Sequence, residues 1–290
     1  MPARFERPAS LADATRLLAA GGWRVLAGGT DVYPAHVGRP LADPWLDISA
    51  IDGLRGVRAV ESGWSIGAAT TWTDLLRADL PPLFDALKAA AREIGGVQIQ
   101  NAGTVVGNLC NASPAADGTP VLLALDAQVV LQSARGTRRV AASDFVLGPR
   151  RTVCAADELV VALEVPARSE RAGSAFLKLG GRRYLVISIT MAAVVVDVDE
   201  AGRVQHAAVA VGSCSASAQR LPALERRLVG LSAGDAAGES VEPAHLAPLT
   251  PIDDLRASAA YRLDATATLI RRALAEVLGP SQPVAAGAAR

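Results

Sequence analysis

Two stretches of this 290-residue chain concentrate groups able to hold a ligand. The first is Val25-Leu26-Ala27-Gly28-Gly29-Thr30-Asp31-Val32. A strand running into two glycines permits a positive-φ turn, in which successive backbone N–H groups converge on one point. Such a nest accepts a phosphate or pyrophosphate. Thr30 can add a hydroxyl, and Asp31 can fix the turn or cap the helix that follows. A plain strand-to-helix turn is the competing reading of Gly28–Asp31 taken alone. The second stretch runs from Gln98 to Asp117 and brings together Asn101, Thr104, Asn108, Asn111 and Ser113 with no basic residue. It suits a large ligand with many hydroxyls: Asp117 can accept bonds from a sugar, while Gly103 and Gly107 let the backbone approach. A self-satisfied, Asn-rich surface loop is the alternative.

Other chemistries lack their residues. Cys110, Cys154 and Cys214 have no CxxC spacing, which argues against a disulfide framework and against a cysteine-ligated zinc or iron–sulfur site. His36, His206 and His245 are scattered, with no HExxH-type pair, so no metal site is assigned. There is no GxGxxG, no GxxxxGK[ST] loop and no GxSxG elbow; Gly212-Ser-Cys-Ser-Ala216 lacks the second glycine. Asn111-Ala-Ser113 is a glycosylation sequon with nothing else to indicate secretion. Equal numbers of basic and acidic residues, 29 each, argue against nucleic-acid binding. With 50% hydrophobic residues the chain can bury a sizeable core, and with 4% aromatics a planar ligand must be held by backbone and small side chains. The opening MPARFERPAS has no apolar signal-peptide core, and the apolar run Tyr184–Val196 is too short to span a bilayer. A cytoplasmic location without membrane insertion is expected.

The elements that must position these groups follow from pattern. Ser10 caps a helix whose apolar positions Leu11, Ala14, Leu17 and Leu18 recur at helical spacing until Gly21-Gly22. Short strands at Trp23–Ala27 and Trp45–Ser49 flank the glycine turn. Val57–Glu61 and Trp64–Ala68 form a hairpin about Ser62-Gly63. Helices are expected at Thr73–Ala78, Leu83–Ile94 and Pro120–Leu125, and strands at Gln128–Gln132, Thr137–Val140 and Glu158–Val165. The run Gly95–Ala116 shows neither period and reads as a long functional loop. Past a composition break at Pro166–Gly173, three strands (Ser174–Leu179, Ser188–Val198, Val204–Val211) and helices at Ala218–Val229 and Ala257–Leu278 complete an α+β chain. The expected units are residues 1–170 (subdomains about 1–53 and 54–170) and 171–278, with a flexible Pro/Gly/Ala-rich tail at 279–290.

Taken together, Ala27-Gly-Gly-Thr-Asp31, Thr104-Val105-Val106-Gly107-Asn108 and Asn111-x-Ser113-Pro114-x-x-Asp117 resemble the FAD-binding subunit of the molybdenum hydroxylases, the family of xanthine dehydrogenase and carbon monoxide dehydrogenase. The resemblance continues through Phe176-Leu-Lys178-Leu-Gly-Gly-Arg182-Arg183 to Ser258-Ala-Ala-Tyr-Arg262 and Ile270-Arg-Arg-Ala-Leu274, in collinear order over nearly the whole chain. It implies a vanillyl-alcohol-oxidase-like (PCMH-type) fold, two α/β subdomains clasping FAD, followed by a C-terminal domain with a three-stranded antiparallel sheet and helices. It also implies an oxidoreductase subunit. Val25–Val32 would hold the pyrophosphate, Thr104–Asn108 would contact phosphate and flavin, and Asp117 would hold ribityl or ribose hydroxyls. Ile94 and Val160 would pack on the cofactor, and Lys178 would tune the flavin edge. Arg182 and Arg183 are either structural or pair with a partner.

By the same resemblance, electrons arrive from [2Fe-2S] clusters on one partner subunit, fed by a molybdopterin subunit, and leave for NAD, a quinone or dioxygen. Val106 stands where the family often has Gly or Ala. Tyr184-Leu-Val186 lacks the acidic residues that some xanthine dehydrogenases carry, which leaves the acceptor open. A stand-alone oxidase of the same FAD superfamily is the alternative. A nicotinamide dehydrogenase and a non-enzymatic interaction subunit are more distant ones.

Overall fold

A computed structural model describes residues 4–279. The first unit contains β1 (Phe5–Glu6), α1 (Leu11–Ala19), β2 (Arg24–Leu26), α2 (Val32–Ala35) and β3 (Trp45–Asp47). Its three strands form a parallel sheet in the order β1-β3-β2. Ser10 caps α1 as expected, its hydroxyl accepting from the Asp13 amide at 3.1 Å. Asp31 stands at the start of α2 but makes no side-chain capping bond, so that expected role is not realised.

The second unit contains β4 (Val57–Val60), β5 (Gly63–Gly67), α3 (Trp72–Arg77), α4 (Asp85–Glu93), α5 (Val97–Ala102), α6 (Val105–Cys110) and α7 (Gly118–Ala124). It continues through β6 (Gln128–Ser133), β7 (Gly136–Ala141), α8 (Ala142–Phe145), β8 (Val146–Gly148), β9 (Arg151–Thr152) and β10 (Leu159–Pro166). Five of these strands make an antiparallel sheet in the order β4-β5-β10-β6-β7. The Gly95–Ala116 run is therefore not a structureless loop. Its polar residues fold into two six-residue helices, α5 and α6, too short to display a full apolar stripe in sequence. Tertiary contacts hold them instead: the Trp72 amide donates to Gly103 O at 3.1 Å and the Val105 amide to Thr70 O at 3.0 Å.

The third unit is an antiparallel sheet of β11 (Gly173–Gly180), β12 (Ser188–Val198), β13 (Val204–Gly212) and β14 (Gln219–Arg220), with α9 (Pro222–Leu228), α10 (Ala233–Ala237) and α11 (Ala259–Leu278). The sheet has four strands rather than three. The expected helix at Ala218–Val229 begins with the edge strand β14, and only from Pro222 is it helical, because proline fits a first helical turn. The expected flexible tail, apart from Gly279, lies outside the described residues. Among the described residues, no helix is long and apolar enough to cross a membrane.

β12 and β13 are buried on both faces, and their alternation divides the core. Met191, Ala193, Val195, Ala208 and Ala210 join the hydrophobic core of the first two units. Ala192, Val194, Val196, Val209 and Val211 pack instead with Leu224, Leu228, Ile270 and Leu274 of α9 and α11. A polar clamp reinforces this junction. Asp126, just after α7, accepts from Arg168 at 2.6 Å and from Arg220 at 2.7 Å, and His206 lies 3.3 Å away. Burial alone would raise the Asp126 carboxyl, but hydrogen bonds from His206 and Arg220 hold it down at about 2.

A depressed carboxyl pKa contributes stability above its unfolded value and loses it as pH falls toward the folded one. Discounted for partial exposure, Asp126→Asn should cost about 1–2 kcal/mol at pH 7. Denaturation of both proteins between pH 7 and pH 2 should show the gap closing below about pH 4. A gap that is constant with pH would contradict the clamp.

Candidate functional site

The turn after β2 is built by close backbone packing. A Cβ at Gly28 would fall 1.8 Å from the carbonyl oxygen of Ala102, at the end of α5. Gly29 has φ +69°, and a Cβ there would fall 2.3 Å from the Tyr33 ring. The first glycine is thus required by approach, and the second by both approach and backbone conformation. In return, the amides of Gly28, Gly29, Thr30 and Asp31 donate to no acceptor among the described residues. Gly29 is buried, Gly28 and Thr30 are half-buried and Asp31 is exposed, so this row of free amides is open to an external acceptor.

The Thr104–Asn108 segment faces the turn. The Thr104 hydroxyl caps α6 by accepting from the Gly107 amide at 2.9 Å. A Cβ at Gly107 would meet that hydroxyl at 2.6 Å, and a Cβ at Gly103 would lie 3.2 Å from the Thr30 hydroxyl oxygen. Asn108 Oδ1 accepts from the Gly118 amide at 3.2 Å, tying α6 to the start of α7. Turn and helix together line a cavity of about 750 Å³, within the range of small-molecule and cofactor pockets.

All the residues expected at the site line this cavity except Val105, Asp117 and Lys178. Val105 points into the hydrophobic core and is fully buried. Asp117 and Lys178 meet each other: Lys178 Nζ lies 2.7 Å from Asp117 Oδ2, with both side chains under one-tenth exposed. Ser188 donates to Asp117 Oδ1 at 2.9 Å. Burial pushes the Asp117 carboxyl up, while Lys178 and the Ser188 hydroxyl pull the other way. Lys178 lines a second, smaller cavity of about 230 Å³ with Glu93, Arg182, Arg183 and Val186. Ile94 lines the first cavity and its neighbour Glu93 the second, so the end of α4 stands between the two.

Other lining residues carried no signal in the sequence. Trp72 of α3, Cys110 of α6, and Cys154 and Glu158 of the loop between β9 and β10 also line the large cavity. Glu158 is held by Arg138 at 2.6 and 2.7 Å and by the Ala155 amide at 2.9 Å. Cys110 is a free thiol exposed to the cavity, whereas burial pushes the Cys154 thiol up to about 11. Cys154 is not poised as a nucleophile. The arrangement offers unpaired amides, hydroxyls and apolar walls, which bind and orient rather than attack.

Gly28→Ala tests the packing. A methyl group at this point must push the turn off α5, at a cost of about 1–3 kcal/mol or more. Gly181→Ala is the control, since a Cβ there meets nothing within 4 Å. Urea denaturation should show a clear loss for the first and almost none for the second. Equal stabilities would contradict the close approach.

Comparison with known proteins identifies the family. Residues 1–168 match the family described as FAD binding domain in molybdopterin dehydrogenase, and residues 175–277 match the CO dehydrogenase flavoprotein C-terminal domain. The chain is 32% identical over 281 residues to the xanthine dehydrogenase FAD-binding subunit of Escherichia coli O157:H7, covering 95% of this chain and 96% of that one. It is 32% identical over 284 residues to the carbon monoxide dehydrogenase medium chain of Hydrogenophaga pseudoflava, covering 94% and 97%. The fold superposes on a chain of the reconstituted CO dehydrogenase from Oligotropha carboxidovorans with a TM-score of 0.84 at 29% identity, over 96% of this chain and 99% of that one. With both halves matched in order and a cavity built from the two glycine segments, this chain belongs to the family of FAD-binding medium subunits of the molybdenum hydroxylases.

Proposed function

We propose that this chain relays electrons through FAD, from [2Fe-2S] clusters on one partner subunit of a molybdopterin-containing assembly to NAD or a quinone. The observation that carries this reading is the set of unpaired amides at Gly28–Asp31, facing the capped start of α6 across a cavity of cofactor size. Convergent N–H groups at a glycine turn are a phosphate site, so these four amides and the Thr30 hydroxyl would take the pyrophosphate. Thr104, Gly107 and Asn108 would close the opposite side, with Ile94, Val160 and Val106 packed against the cofactor.

The cavity pair supports one direction for the ligand. Passing Ile94 toward Glu93 leads to Lys178, so the flavin end is assigned to the second cavity and the adenosine end to the larger one. There Lys178 would place a fixed cation beside the ring, where charge accumulates on reduction. Asp117 would hold that ammonium in place, and its second oxygen would remain within reach of a hydroxyl. When bound, FAD supplies the redox chemistry; the chain's residues bind it, orient it and exclude water from it. The names of the relatives, medium chain and FAD-binding subunit, support a place within a larger assembly.

The purified chain should take up one FAD and show flavin absorption bands. Because Cys110 lines the cavity, bound FAD should slow its alkylation strongly relative to the flavin-free protein, as read by mass spectrometry. Equal alkylation with FAD bound would place the cofactor elsewhere, and failure to take up FAD would end the reading.

A further inference from the structure

Arg262 opens α11 and is 3% exposed, a buried cation far along the chain from both cavities. Its guanidinium does not serve the helix it belongs to. Nη2 donates to Asp254 at 2.7 Å, and Nη1 donates to two carbonyls, those of Ile189 and, at 3.3 Å, Ser213. Its Nε is buried without an acceptor. A buried guanidinium left partly unpaired is costly, so the contacts it does make need a reason beyond helix stability.

Both carbonyls lie beside a contact with the segment that carries Asp117. Ile189 follows Ser188, whose hydroxyl donates to Asp117 Oδ1. Ser213 sends its own amide to Pro114 O at 3.0 Å, three residues ahead of Asp117, and has φ +62° in doing so. That backbone conformation is unfavourable for a side-chain-bearing residue and must be held by its surroundings. The hydroxyls of Thr190 and Thr266 meet at 2.6 Å, and Thr266 in turn donates to Arg262 O at 2.6 Å, so α11 is keyed to β12 along this line. One guanidinium thus fixes the two strand ends that grip Pro114–Asp117 from the C-terminal sheet.

We infer that Arg262 is a positioning residue: through Ile189 and Ser213 it sets the Asp117–Lys178 pair. The importance of that pair for the cofactor rests on the assignment of the flavin end given above; the positioning itself does not. Asp254 orients the guanidinium and belongs to the same device.

The sequence offers a clean probe, because the chain has two lysines, Lys88 and Lys178. In the full-length, flavin-free chain treated with acetic anhydride, acetylation of Lys178 relative to Lys88 reports how tightly Lys178 is held. Ser188→Ala provides the reference for a loosened pair. Arg262→Met, measured well below its melting temperature, should raise the ratio several-fold, and Arg262→Lys should restore part of the difference. A folded Arg262→Met protein with the wild-type ratio would overturn the inference, since a merely structural arginine would lower Tm and leave the ratio alone. If Arg262→Met does not fold, Asp254→Asn decides: a raised ratio supports the inference and an unchanged one overturns it. Adding FAD to the wild-type chain separates the two claims. Protection of Lys178 supports the flavin-end assignment, whereas no protection removes that assignment and leaves the role of Arg262 standing or falling on the variants.

Discussion

The structure of the site depends on one close approach of backbone to backbone. Gly28 lies so near the Ala102 carbonyl that no side chain fits between them, and this brings the end of β2 against the α5–α6 junction. That contact forms part of the cavity wall. It leaves the amides of Gly28 to Asp31 without an acceptor among the described residues, and it sets Thr30 beside Gly103. It also makes the parallel three-stranded unit and the five-stranded unit two walls of one cleft. The pyrophosphate proposed here would meet no lysine or arginine in the turn, so oriented N–H groups would have to hold it, and such groups are useful only if nothing internal satisfies them first.

The C-terminal sheet completes this arrangement from the other side. Its doubly buried strands join the core of the FAD-binding units through one face and cover themselves with α9 and α11 through the other. At the junction, apolar packing supplies the adhesion and a few polar contacts set the register: Asp126 with Arg168 and Arg220, and Asp117 with Lys178 and Ser188. The second of these stands where the two cavities approach each other, so the mutual placement of the units and the electrostatics of the proposed flavin end are the same problem. A cation buried there is tolerable only with its carboxylate, and the carboxylate only with its hydroxyl and ammonium donors.

Much of this was legible in the sequence where local chemistry dominates. Ser10 caps its helix as its neighbours dictate, and Gly28-Gly29 marked the turn, whereas the caps Thr71 and Ser258 emerge only in the structure. What was not legible is whatever tertiary contact decides. The amide-rich run became α5 and α6 with Thr104 capping α6 locally and with contacts to Thr70 and Trp72, which lie outside any window of that segment. β14 is a two-residue edge strand that exists only beside β13. Val105 sits inside the Thr104–Asn108 motif yet turns to the core, because α6 has one face for the cavity and one for the protein. Glu158 and Cys154 could not be connected with the turn at all, since they reach the same cavity from an element far along the chain.

The central claim is that the unpaired amides of the glycine turn grip the cofactor's phosphates. Residue-resolved hydrogen exchange on the purified chain, with and without FAD, tests it most directly. Bound FAD should slow exchange at Gly28, Gly29, Thr30 and Asp31 far more than at an exposed turn such as Gly21-Gly22. Stoichiometric FAD binding with those four amides exchanging as fast as in the flavin-free chain would contradict the account.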